Sequence, residues 1–97
     1  MKKRFLFLQT KAPIEGGPDS FDLALTAAAF DHEVHLVLAE DGVFWLKTGL
    51  PEIVAESVEQ IAYERESLAE RGLASPGAIS REELARLIAE TDVVVTG

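Results

Sequence analysis

The sequence predicts a single α/β domain over residues 1–97, built as a three-layer α/β/α sandwich around a mostly parallel sheet. Short apolar stretches, of the kind found in strands buried on both faces, alternate along the chain with segments of helical pattern. Hydrophobic residues make up 47% of the 97 residues, which is enough for one packed core. Alternation of strands and helices over this length is typical of a parallel sheet covered by helices on both faces.

The first third of the chain predicts a strand, a loop and a helix. Residues 4–9 contain the run Phe-Leu-Phe-Leu, which favours a central parallel strand. Residues 10–18 form a loop rich in Gly and Pro that carries Lys11 past the end of this strand. Its Glu-Gly-Gly segment lacks the spacing of phosphate-binding loops, so an ordinary connection is expected. An alanine-rich helix follows over residues 19–30.

The middle of the chain begins with a strand over residues 33–39 that ends in an acidic turn. The turn consists of Glu40, Asp41 and Gly42, and Gly42 is expected to supply the backbone freedom that a sharp turn needs. Because the turn has no calcium-loop spacing, it predicts no metal site.

A second apolar segment follows this turn at once and contains the only tryptophan of the chain. Two interpretations stay open. The segment forms an exposed apolar patch that serves as an interface, or it folds back under the sheet so that the tryptophan packs inside its own domain. The candidate interface residues are Val43, Phe44, Trp45 and Leu46.

The next segments predict a loop over residues 47–51, a short helix over 52–57 and a strand over 58–63. A helix over residues 64–71 follows. Gly72 comes directly after it and is expected to end that helix in a Schellman-type stop.

The end of the chain predicts one more helix and one more strand. Ser80 and Glu83 have the spacing of a capping box, in which the serine caps the helix and the glutamate reaches back to it. A strand over residues 92–96 closes the sheet. The predicted buried stripe of this helix consists of Leu84, Leu87 and Ile88.

Composition excludes several classes of function. The formal net charge of −8 repels a phosphate backbone, so direct nucleic-acid binding is not expected. No apolar run approaches ~20 residues, so no membrane span is predicted. The basic start, residues 2–4, precedes an apolar run that is short for a signal peptide, and a cytoplasmic protein is expected.

Cysteine and histidine are the residues most often used for metals and nucleophiles. The chain has no cysteine, so it has no disulfide, no thiolate metal site and no thiol nucleophile. Its two histidines, His32 and His35, lie away from the carboxyl end of their strand and lack a third ligand nearby. We therefore expect them to be structural or solvent-facing, and we predict no metal and no cofactor.

Polar residues that follow the predicted strands are the candidate ligand-binding or catalytic groups. Because the carboxyl ends of parallel strands meet at one edge of the sheet, these side chains are expected to gather there. Clustered carboxylates raise one another's pKa values, so such a cluster is a candidate functional site, unless it simply faces solvent or a basic partner. The candidate carboxyl-edge site consists of Lys11, Glu40, Asp41, Glu64 and Arg65.

Several of these segments together resemble the DsrE/DsrF-like family of sulfur-relay subunits, and most of all its TusC/DsrF branch. The segments that carry the resemblance are the loop over residues 10–13, the alanine-rich helix, the stretch DGVFWL at 41–46, the stretch SLAERGL at 67–73 and the closing Asp-Val-Val strand. The resemblance implies a flavodoxin-like fold. It also implies assembly with like subunits, either as a homo-oligomer or as a hetero-oligomer with cysteine-bearing members.

The resemblance further implies a function. In the catalytic branch a cysteine just after the third strand carries sulfur as a persulfide, and in this sequence that position falls on Glu64. A carboxylate cannot hold persulfide sulfur, so the sequence favours a non-catalytic structural subunit over an enzyme. Such a subunit would serve tRNA 2-thiolation or sulfur oxidation. The alternative is a small-ligand-binding module, or an enzyme of unknown chemistry, that uses the carboxyl-edge site.

Overall fold

A computed structural model describes residues 2–13 and 18–97. Four strands form the sheet, and every described pair of neighbours is parallel, in the order β3-β2-β1-β4. This confirms the predicted α/β class and is consistent with a flavodoxin-like sandwich. The strands are β1 (Arg4–Gln9), β2 (Glu33–Leu38), β3 (Gln60–Tyr63) and β4 (Val93–Thr96).

Helices cover both faces of the sheet. On one face, Phe21 and Ala24 of the first helix and Val54 of the third pack against the phenylalanine and leucine side chains of β1 and β2. On the other face, Leu84 of the last helix packs against Leu6 and the neighbouring strands. The helices are α1 (Pro18–Ala29), α2 (Trp45–Thr48), α3 (Glu52–Ser57), α4 (Arg65–Glu70) and α5 (Arg81–Ala89), with a 3₁₀ helix over Glu40–Phe44 between β2 and α2.

Several predicted boundaries are wrong by one or two residues. The predicted loop over residues 47–51 is shorter, because Lys47 and Thr48 belong to α2. The third strand begins at Gln60, two residues later than predicted, because the N–H of Val58 still bonds the Val54 carbonyl of α3 at 3.3 Å. Of the predicted loop over residues 10–18, residues 14–17 lie outside the described part of the chain, and Pro18 belongs to α1.

The predicted end of α4 is confirmed in detail. Gly72 has φ of 68°, and the N–H of Leu73 bonds the Leu68 carbonyl at 2.8 Å. The N–H of Gly72 bonds the Ala69 carbonyl at 3.1 Å, which completes a Schellman motif.

The predicted capping box of α5 is also confirmed. The N–H of Glu83 donates to Ser80 Oγ at 3.0 Å, and the N–H of Ser80 donates to Glu83 Oε1 at 3.3 Å. The predicted buried stripe is only partly correct: Leu84 is buried and Leu87 half-buried, but Ile88 is 38% exposed. Leu87 and Ile88 lie on opposite sides of Leu84 on the helix. The helix turns the Leu87 side onto the sheet, and Ile88 is left on its flank.

The turn after β2 uses its glycine differently from the prediction. The positive φ, 52°, is at Glu40, and Gly42 does not have one. Gly42 is buried against the backbone of Gln9, where a Cβ atom would overlap the Gln9 carbonyl oxygen. Glycine is therefore required at position 42 because two backbone segments approach closely there.

Candidate functional site

Two of the predicted site residues, Glu40 and Glu64, meet around the buried side chain of Ser67 in α4, at the carboxyl edge of the sheet. The backbone N–H of Glu40 donates to Ser67 Oγ at 2.8 Å, and this hydroxyl donates to Glu64 Oε1 at 2.5 Å. Asp41, next to Glu40, reaches the same helix through Arg71. The segments after β2 and β3 therefore come together as the strand pattern predicts.

Glu64 links the sheet to α4 through its backbone. Its N–H bonds the Leu38 carbonyl of β2 at 2.9 Å, so the residue extends the ladder between β2 and β3. Its carbonyl accepts the Leu68 N–H at 3.1 Å, which makes it the N-cap of α4. Glu64 also forms a parallel bridge with Ile79, which lies before α5.

The Glu64 carboxylate is buried, with the residue only 5% exposed, and it is held by an ion pair. Its Oε1 accepts Arg81 Nε at 3.1 Å as well as the Ser67 hydroxyl. Burying a carboxylate is costly unless it is paired and hydrogen-bonded, and both conditions are met here. The carboxylate therefore ties the 3₁₀ helix, α4 and α5 to the end of β3.

Arg81 is the central cation of this edge. Its guanidinium also bonds Glu70 at 3.0 Å, and its backbone N–H donates to the two carboxylate oxygens of Glu66 at 3.1 and 3.2 Å. Hydrogen bonds to Glu64, and then to Glu70, raise the pKa of Arg81. The N–H of Arg81 lowers the pKa of the Glu66 carboxyl, with smaller contributions from nearby positive charge.

Asp41 is exposed and has an arginine of its own. Arg71 bonds Asp41 Oδ1 at 3.0 Å and the Ser67 carbonyl at 3.1 Å. It also lies 3.7 Å from Glu70. Arg71 thus fastens the 3₁₀ helix to the last turn of α4.

The remaining two predicted site residues are exposed, and the contacts seen for them are to other groups. Arg65 is exposed and lies near Glu83 at 3.7 Å, with a 3.3 Å hydrogen bond to the Ala78 carbonyl. Lys11 is exposed, and its backbone carbonyl accepts a hydrogen bond from Trp45 Nε1 at 3.2 Å. The five predicted residues therefore do not form one cluster.

Sequence reasoning missed three residues that do belong to it: Ser67, Arg71 and Arg81. The first two were detectable, because they follow Glu64 at i+3 and i+7 and so lie on one face of α4. Arg81 lies beyond the loop after α4, and no local spacing relates it to Glu64.

The ion pairs and hydrogen bonds of this cluster hold neighbouring elements together. Glu64 and Asp41 are each paired with an arginine, and the Ser67 hydroxyl is fully buried and already donates to a carboxylate. Within residues 2–13 and 18–97, no group of three or more metal-ligating side chains is placed to hold a metal ion.

The histidines lie away from this edge. His35 Nε2 bonds Glu33 Oε2 at 2.7 Å, and Arg4 Nε bonds the same oxygen at 2.5 Å. These bonds, that of His35 first, lower the pKa of Glu33. His32 Nδ1 accepts the backbone N–H of Lys3 at 3.1 Å. Both rings thus have structural contacts near the amino end of the strands.

Much of the candidate interface segment packs within its own domain. Val43 is fully buried and offers no surface to a partner. The Trp45 ring is half-buried and packs edge-to-face on Phe21, with ring centres 5.0 Å apart. Phe44 and Leu46 are half-buried.

The strongly exposed apolar side chains lie elsewhere. Phe30 is 74% exposed, Ile53 60% and Leu23 53%. Phe30 and Leu23 lie beside a groove along α1. The described part of the chain contains no helix both long and apolar enough to cross a bilayer.

Comparison with known proteins identifies the family to which the chain belongs. The model of the DsrE/DsrF-like family matches residues 3–66, which is more than half of the chain and extends from β1 to the start of α4. No curated protein matches the sequence. The matched segment includes Glu64 and the strands β2 and β3, whose carboxyl ends lead into the cluster. The chain belongs to the DsrE/DsrF-like family, whose members are related to sulfur relay.

Proposed function

We propose that this chain is a non-catalytic subunit of a DsrE-like sulfur-relay assembly, similar to the TusC/DsrF branch. The observation that carries the proposal is the state of Glu64. This residue stands where the resemblance puts the persulfide cysteine of catalytic members, and it is buried and ion-paired with Arg81. It holds the edge together in place of a reactive group.

The chemistry of sulfur transfer supports the same conclusion. Sulfane sulfur is carried on a thiolate, and the sequence contains no cysteine at any position. Ser67, the nearest hydroxyl, is fully buried. A ligand or substrate at this edge would have to displace Arg81 from Glu64 or Arg71 from Asp41.

A subunit of this kind acts through contact with a partner. In this proposal the partner is a cysteine-bearing member of the same family. The assembly works in the cytoplasm and serves tRNA 2-thiolation or sulfur oxidation. The net charge of −8 suits contact with a partner that presents basic groups.

Native mass spectrometry of mixtures tests the proposal. The chain is mixed with a cysteine-bearing DsrE-like protein at micromolar concentration, and with a cysteine-bearing protein of another fold as the control. The expected result is a complex of fixed stoichiometry with the first protein only. If no cysteine-bearing family member from the same genome forms a complex, the proposed function is wrong.

A further inference from the structure

A small cavity lies between α5 and the strands β2 and β3. Its volume is about 170 Å³, below the roughly 300–1,000 Å³ of sites that hold drug-sized molecules. Most of its lining is aliphatic and includes Ala62 of β3, Leu87 of α5 and Ile79, which lies before α5. Among the described residues, none of the cluster around Ser67 lines it, so the cavity is a separate feature of the fold.

Three polar side chains also line the cavity, namely His35 of β2, Gln60 of β3 and Glu83 of α5. His35 and Gln60 are neighbours in the parallel register of the two strands. Because side chains alternate along a strand, both project from the face that carries Val37 and Ala62 and is covered by α5. The polar groups of the strands and of the helix therefore face the same space.

His35 has a buried nitrogen atom without a partner. Its Nε2 lies 2.7 Å from Glu33 Oε2, and this bond is the first cause that lowers the pKa of Glu33. An ionised carboxylate can only accept, so Nε2 is the donor, and Nδ1 of the neutral ring is an acceptor. Nδ1 is buried and has no hydrogen-bond partner among the described residues. Buried polar atoms in native proteins almost always have one, so a donor is expected in the adjoining cavity.

The polar lining favours a ligand that donates hydrogen bonds. Glu83 can only accept, Gln60 offers an amide oxygen, and His35 Nδ1 offers a lone pair. Oε1 of Glu83 already accepts the N–H of Ser80, but a carboxylate has lone pairs for further bonds. All three polar residues can therefore accept from one donor group.

Charge favours a positively charged ligand. No lysine or arginine of the described residues lines the cavity. Arg65 lies 3.7 Å from Glu83, but both side chains are about half exposed, so this ion pair is screened by solvent. The net charge of −8 adds to the attraction for a cation and to the repulsion of an anion.

We propose that this cavity binds a small amine. The ammonium group donates to Glu83 and to His35 Nδ1, and the hydrocarbon body packs on Ala62, Ile79 and Leu87. A carboxylate of the same shape is repelled by Glu83, and an alcohol of the same shape lacks the charge. This inference goes beyond the proposed function, since neither sulfur nor a partner protein takes part in the binding.

Titration of the full chain with 2-phenylethylamine, followed by two-dimensional NMR, tests the proposal. The matched probes are 2-phenylethanol and phenylacetate, which have the same aromatic ring but a neutral or a negative head group. The amine should give saturable shifts of amide signals in β2, β3 and α5. It should bind at least about tenfold more tightly than phenylacetate, with the alcohol between the two.

The histidine ring nitrogens give a second readout, because the chain has only His32 and His35. His32 Nδ1 accepts the N–H of Lys3, whereas His35 Nδ1 has no donor among the described residues. Long-range ¹H–¹⁵N spectra of the free protein should therefore show two different Nδ1 shifts. Saturating amine should move the His35 Nδ1 shift towards that of His32 and leave His32 unchanged.

Substitutions in α5 separate the cavity from the general charge of the helix. Glu83→Gln removes the charge but keeps the capping box, in which glutamine also serves, and should weaken amine binding several-fold. Glu82→Gln is the matched control, because Glu82 is exposed and does not line the cavity; this variant should bind as the wild type does. Leu87→Trp should fill the cavity and abolish binding, with circular dichroism as the check on folding.

The absence of saturable shifts at millimolar amine, or phenylacetate bound as tightly as the amine, would overturn the proposal. Equal weakening by Glu82→Gln and Glu83→Gln would do the same. A His35 Nδ1 that is already hydrogen-bonded in the free protein would also overturn it, since the cavity would then hold ordered water in place of a ligand.

Discussion

Removal of the Glu64 carboxylate should destabilise the fold strongly, although the residue lies at a sheet edge. In Glu64→Ala, the buried Ser67 hydroxyl loses its acceptor, and a hydrogen bond to a charged group is worth roughly 1.5–3 kcal/mol. The Arg81 side chain is more than half exposed, so its share of the ion pair is screened and adds only about 0–1 kcal/mol. The expected loss in the free energy of unfolding is about 2–4 kcal/mol.

Urea denaturation followed by circular dichroism measures this loss. With an m-value of about 1 kcal/mol/M, the unfolding midpoint should fall by about 2 M or more. The matched control is Glu70→Ala. This carboxylate bonds the same Arg81 but is 59% exposed, so its removal should cost about 0–1 kcal/mol. Glu64→Gln keeps an acceptor for Ser67 and should fall between the two.

The losses in the free energy of unfolding of Glu64→Ala and Glu70→Ala show whether the Glu64 carboxylate stabilises the edge of the sheet. If Glu64→Ala is no more destabilising than Glu70→Ala, the buried Glu64 carboxylate adds no more to stability than an exposed one and does not hold the edge of the sheet together. A Glu64→Ala/Ser67→Ala double variant should lose less than the sum of the single losses, since both singles break the same hydrogen bond.

Three further predictions concern other parts of the chain. Gly42→Ala should lower the free energy of unfolding by about 1–3 kcal/mol or more, because the added Cβ would overlap backbone atoms. Gly72→Ala should lower it by about 1–2 kcal/mol, from the positive φ of this residue alone. Urea midpoints that show Gly72→Ala to be the more destabilising variant would contradict this. Trp45→Ala should destabilise the chain by roughly 2–4 kcal/mol in thermal unfolding without changing its sedimentation, and a lighter species would show instead that Trp45 is an interface anchor. Because the pKa of Glu66 is lowered in the folded state, its contribution is fully present above its usual value of 4.5 and is lost as pH falls through the lowered pKa. Glu66→Gln should therefore flatten the stability–pH curve below about pH 4.5, and an unchanged acid slope would refute this assignment.

Local signals in the sequence predicted the fold well. The Phe-Leu-Phe-Leu run, the Gly72 stop and the Ser80 capping box depend on neighbouring residues only, and all three have the predicted structure. The meeting of Glu40 and Glu64 was also predictable, because parallel strands end at one edge.

The contacts between distant segments were not predictable in the same way. Nothing near Arg81 in the sequence identifies Glu64 as its partner, since the loop after α4 brings them together. The role of Gly42 depends on the approach of β1, which no pattern around residue 42 reveals. Phe30 lies directly after α1, so its exposure depends on which side of that helix faces the sheet, and an alanine-rich helix leaves that choice to tertiary packing.

The proposed role of this chain is to support sulfur relay without carrying sulfur itself. The most direct measurement is the intact mass of each subunit in the mixed complex, after a cysteine desulfurase has loaded the complex with isotopically labelled sulfur. We expect one or more added sulfur atoms on the cysteine-bearing subunit and an unchanged mass for this chain. Sulfur delivery to an acceptor should also fall when this chain is left out. A stable sulfur adduct on this chain, or delivery that is equally fast without it, would show that the chain does not have this role.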